Sequence, residues 1–115
     1  MAQLTVQTIT RSGVTVSLVP ASTTSAGDEF LNDGRTFIEV NNAHASAART
    51  VTIVSRVTSP PPGTAKADVV VTVNPNTRVK IGPFPTQAFN DANSRAKVTY
   101  SNNGADLTVA VYKLE

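Results

Sequence analysis

Cysteine is missing from the 115-residue chain, which removes disulfides and thiolate metal sites at once. Tryptophan is missing too, and the aromatics amount to four Phe and two Tyr. That is too few, with too little basic residue around them, for the stacking platforms of a single-stranded nucleic-acid groove. A sugar-binding surface would also want exposed rings, and only Tyr100 and Tyr112 are on offer. The lone histidine, His44, sits among Ala and Ser with no carboxylates at metal-ligand spacing, so it reads as a solvated loop residue. No nucleophile elbow and no Gly-rich phosphate cradle occur. Ten basic and eight acidic residues are scattered without a polybasic run, the pattern of a solvated surface. The longest β-branched run, Val69-Val70-Val71, is far too short to cross a membrane. The opening Met1-Ala2-Gln3-Leu4-Thr5 starts a strand pattern with no apolar core of signal-peptide length. These absences predict a soluble, unprocessed protein made in the cytoplasm. They predict no catalytic residue, no cofactor, no metal, no nucleic acid and no membrane partner.

What is present is Val, Ile, Leu, Ala, Thr and Ser in short alternations, which favours pleated, half-buried strands. Residues 4–9 and 14–19 alternate on either side of Arg11-Ser12-Gly13 and predict a first hairpin that Pro20 stops. Residues 21–34 read as a loop anchored by Phe30 and Leu31, closing on the tight turn Asn32-Asp33-Gly34. A third strand follows over 35–41, with Phe37 and Glu39 on one face and Ile38 and Val40 on the other; either face could be the inward one, and the Ile38–Val40 face is favoured. After a polar loop over 42–48 comes a fourth strand over 50–55. Pro60, Pro61 and Pro62 predict an exposed connection over 58–65. Asp68 to Val73 is a fifth strand with Val69, Val71 and Val73 inward, Asn74-Pro75-Asn76-Thr77 a turn, and Arg78–Ile81 a sixth strand with Arg78 and Lys80 pointing outward together. A seventh strand over 97–101 and an eighth from Leu107 flank Asn102-Asn103-Gly104, a hairpin signal.

One stretch breaks the alternation. In Ile81-Gly82-Pro83-Phe84-Pro85 two prolines each fix a φ angle and remove a donor, so the segment is a rigid corner rather than a central strand. Phe84 and Phe89 need burial, and residues 89–94 have room for one helical turn. The acidic group Asp28, Glu29 and Asp33 lacks the alternating ligands of a calcium loop and reads as a solvated turn. Taken together, about eight short strands with turn signals between them predict one all-β domain over residues 1–115 with little helix. Its form is an antiparallel sandwich or barrel, jelly-roll-like.

Several stretches resemble one group of proteins. They are Leu4-Thr5-Val6-Gln7-Thr8-Ile9-Thr10-Arg11-Ser12-Gly13, the run from Gly27 through Asp33-Gly34-Arg35-Thr36-Phe37, the corner with Phe89-Asn90-Asp91, and the closing Leu107-Thr108-Val109-Ala110-Val111. The group is that of small tailed-phage head proteins encoded near the major capsid protein. The resemblance implies a capsid decoration, or cement, protein on the outer surface of the head. Its implied partners are the major capsid protein and further copies of itself, a trimer being favoured. It would be found in the virion and, during assembly, in the host cytoplasm. No catalytic residue is implied. Contact by loops or by strand addition would fall on Phe30, Asn32, Asp33, Arg35, Pro60, Pro61, Pro62, Arg78, Lys80, Pro83, Phe84 and Pro85. The alternatives are a head–tail connector or tail structural protein and, less favoured, a glycan-binding module.

Overall fold

The computed structural model describes residues 2–15, 17–22, 26–56, 68–101 and 106–114. Pro60–Pro62 and Asn102–Gly104 lie outside the described residues, and so does the whole of the predicted exposed connection over 58–65. The described chain forms β1 (Ala2–Leu4), β2 (Val6–Ile9), β3 (Val19–Pro20), β4 (Asp28–Leu31), β5 (Thr36–Asn42), β6 (Arg49–Ile53), β7 (Val69–Val73), β8 (Thr77–Ile81), α1 (Thr86–Phe89), β9 (Arg95–Tyr100) and β10 (Leu107–Leu114). One sheet has the order β1-β4-β9-β6-β7. The other runs β2-β10-β5-β8, with β3 also on β10.

The all-β expectation holds at this level, but the sheets are mixed rather than wholly antiparallel. β1 runs parallel to β4, and β2 runs parallel to β10. The predicted hairpin of 4–9 with 14–19 does not form. The turn itself is made, with Gly13 N–H donating to Thr10 O at 3.0 Å. Beyond it, among the described residues only Val19 and Pro20 reach a ladder, and that ladder is on β10. Residues 2–9 instead divide at the exposed Thr5, one half joining each sheet. Each half adds to its sheet in parallel, β1 on β4 and β2 on β10, at long sequence separation.

Two other turn signals also fail to join paired strands. The turn after β7 carries the chain into the other sheet, so β7 and β8 are not paired with each other. β9 and β10 likewise belong to different sheets, so the Asn102-Asn103-Gly104 stretch joins unpaired strands. A turn motif reports where the chain reverses, not which sheet it reverses into.

Both sheets contribute to one core. Ile38, Val40, Val109 and Val111 come from the second sheet; Phe30, Val51, Ile53, Val73, Ala96 and Val98 come from the first, and every one is fully buried. The inward assignments of Ile38, Val40 and Val73 therefore hold, with Val69 and Val71 partly buried against the same core. The buried Asn42 satisfies its side chain by donating to Val73 O at 3.0 Å and Ala47 O at 2.9 Å, which ties the end of β5 to β7. The predicted loop over 21–34 needs correction at its end. Asp28–Leu31 is a strand between β1 and β9, because Phe30 alternates with neighbours that face away from the core. The helical turn is Thr86–Phe89, ahead of the stretch predicted for it.

Candidate partner-contact surface

The Asn-Asp-Gly turn and the proline corner, far apart in sequence, pack as one unit. Phe30 of β4 meets Phe84 with ring centroids 6.0 Å apart, and Phe84 meets Phe89 of α1 edge-on at 5.7 Å. Asn32 closes the unit. Its amide donates to Phe84 O at 3.1 Å and to Asn90 Oδ1 at 2.8 Å, while Asn90 donates back to Asn32 O at 2.7 Å. Asn32 Oδ1 accepts the Gly34 N–H at 3.1 Å, which forms the turn the sequence predicts. Phe30, Asn32 and Phe84 are thus among the expected contact residues whose side chains are buried, at 0%, 3% and 2% exposure. Burial answers the need for apolar cover and hydrogen-bond partners, and it leaves those side chains committed inside the protein rather than facing a partner.

The rim of the unit is exposed: Asp33, Arg35, Pro83 and Pro85 all lie at the surface. Asp33 accepts the Arg35 N–H at 2.9 Å and the Thr36 hydroxyl at 3.0 Å, with Lys113 Nζ at 3.8 Å. The backbone N–H of Arg35 is the main reason its carboxyl titrates below the ordinary value, with Thr36 and Lys113 adding to it against a desolvation penalty. Beside it, Val6, Leu31, Asn32, Asp33, Thr36, Ser94 and Lys113 line a cavity of about 290 Å³.

Arg78 and Lys80 occupy β8, which leads directly into the corner. Both point outward as predicted, with side chains 55% and 62% exposed. Both share one carboxylate, Glu39 of β5, at 3.5 Å and 3.1 Å. Glu39 itself is buried. Sequence alternation placed Glu39 away from Ile38 and Val40 but gave no sign that it would be covered. On the same outer face Phe37 stacks on Tyr112 at 5.6 Å, and burial raises the Tyr112 pKa.

The two tyrosines form no exposed aromatic platform, since Tyr112 is 7% and Tyr100 9% exposed. The Tyr100 hydroxyl donates to Asp28 Oδ2 at 2.8 Å, and the same oxygen accepts the Ser22 N–H at 2.9 Å. Burial and then the Asp28 charge push the Tyr100 pKa upward. Asp28, read from sequence as part of a solvated turn, is 1% exposed. His44 is tied into its own loop: its Nδ1 accepts the Ala47 N–H at 2.8 Å and the Ser46 N–H at 3.0 Å. Among the described residues no group of three or more His, Cys, Asp or Glu is placed to hold a metal ion, and no helix is long and apolar enough to cross a membrane.

Sequence reasoning did not find the cavities along the N-terminal strands. One of about 380 Å³ is lined by Leu4, Gln7, Ser17, Val19 and Val109–Val111, among others. It lies where β10 changes neighbours from β3 to β2. Gln7 spans that place by bonding both backbone groups of Ser17, at 2.9 Å and 3.1 Å. A second, of about 580 Å³, runs past Leu4, Val6, Leu31 and Lys113. Only a register that places one segment on two sheets creates these spaces, and no local signal encodes it. In comparison with known proteins, no family model, no curated protein and no solved structure matches the chain.

Proposed function

We propose that this is a structural virion protein, a capsid decoration or cement protein that binds the outer surface of a phage head and bridges major capsid protein subunits. The observation that carries the reading is the packing of two stretches on which the resemblance rests. The turn at 32–34 and the corner at 82–85 are joined through Asn32 and the Phe30–Phe84–Phe89 stack into one unit at the end of the sheets. We read the two sheets over their shared core as a β-sandwich, the rigid body that such a role asks for. The rim residues Asp33, Arg35, Pro83 and Pro85, with Arg78 and Lys80 on the adjoining strand, are the contact surface in this reading. Several copies around a symmetry axis, a trimer being favoured, would raise effective concentration so that modest single contacts suffice.

The test is co-sedimentation of purified protein with phage heads assembled without it, comparing expanded and unexpanded shells. Saturable binding at a fixed ratio to the capsid subunit, with a gain in heat resistance of the heads, is the expected result. Failure to bind either shell would remove the decoration reading and move the search to the head–tail junction and the tail.

A further inference from the structure

Building on the docking reading above for the source of the partner, we infer that the free edge of β8 takes an added β-strand with acidic and apolar side chains alternating along it. Among the described residues β8 pairs only with β5, so one edge of a five-residue strand keeps its outward N–H and C=O groups unpaired. Strand addition supplies those hydrogen bonds directly. The two faces of β8 then specify the side chains. On the outer face, Arg78 and Lys80 stand two residues apart with one shielded carboxylate, Glu39, between them. It is the only acid among the described ion pairs that serves two cations, so the edge keeps an exposed surplus of positive charge. Carboxylates at alternate positions of an added strand fall directly opposite those cations. On the inner face Val79 is only partly buried against the core, and an apolar side chain beside it completes its cover.

Two lone cations are few for a polyanion, and a polyanion brings no backbone to the ladder. An acidic extended polypeptide segment uses both features. In the decoration reading this segment belongs to the shell; the edge chemistry is the same whatever protein carries it.

The test is fluorescence anisotropy with a short peptide alternating Glu and Val, against the same peptide with Lys for Glu and against a single-stranded oligonucleotide of equal charge. Binding of the Glu/Val peptide alone is expected, and the double variant Arg78→Gln/Lys80→Gln weakens it about tenfold or more. Glu39→Gln, which unshields the cations, tightens it. Methylating the backbone nitrogens of either the Glu or the Val residues is the decisive control. An added strand turns only one of these two sets toward β8, so one methylated peptide loses binding and the other keeps it. Equal binding of the Glu and Lys peptides, preference for the oligonucleotide, equal effects of the two methylations, or no peptide binding each overturn the inference. Head co-sedimentation separates the two readings. Protein that binds heads but no peptide keeps the decoration role and loses this inference; protein that binds the peptide but no heads does the reverse.

Discussion

Single residues decide how the two ends of the chain's polar network are satisfied. Asn32 is the clearest case, because its amide faces two oxygens, Phe84 O and Asn90 Oδ1, in a buried place. Asn32→Asp keeps the shape but replaces the donor with a carboxylate oxygen facing both. We expect a loss of about 2–4 kcal/mol in urea unfolding, from two acceptors left without a donor and a charge set against them. Tyr100 is the second case. Its pKa is raised from 10.0 mainly by burial, so it keeps its proton in the fold when an unfolded tyrosine has lost it. Stability is therefore fully present below pH 10.0 and falls as pH rises above it, by about 1.4 kcal/mol per pH unit for this group. Tyr100→Phe should remove that share of the alkaline slope while costing about 1–3 kcal/mol at neutral pH, where Asp28 loses a donor. Asp33 acts at the other end of the scale. Its carboxyl titrates below 3.8, so the stability it contributes is present above that pH and is lost as pH falls further.

Individual elements owe their positions to a few close approaches. Gly27, with φ +75°, passes so close to β9 that a β-carbon there would collide with the Val98 carbonyl. Gly27→Ala should therefore unseat β4 from β9, and we expect no cooperative thermal transition in the variant. At the corner, Phe84 packs between Phe30 and Phe89, so Phe84→Ala should cost about 3–5 kcal/mol by calorimetry or denaturant. The corner was legible in sequence because proline, glycine and a buried aromatic each act locally. β4 was not. Its four residues, flanked by small polar residues and a turn, form a strand only because β1 and β9 lie on either side of them.

For the whole molecule, the N-terminal segment supplies an edge strand to each sheet. β1 edges the first sheet and β2 the second, and Leu4 between them is buried at 7% exposure. Removing residues 1–9 should expose β4 and β10 together and abolish cooperative unfolding, not merely lower its midpoint, as followed by circular dichroism during heating. By itself the sequence determined the strand-rich class, the inward faces of β5 and β7, the Asn-Asp-Gly turn, the corner and the outward pair Arg78 and Lys80. Each rests on alternation or on the backbone chemistry of one or two residues, which acts over a few positions. Tertiary structure alone decided which strands pair, that β1 and β2 run parallel to their neighbours, that Asp28 and Glu39 are covered, and where the cavities lie. Those depend on backbone groups meeting across long sequence separations, and the same alternating strand serves any partner that offers a matching edge.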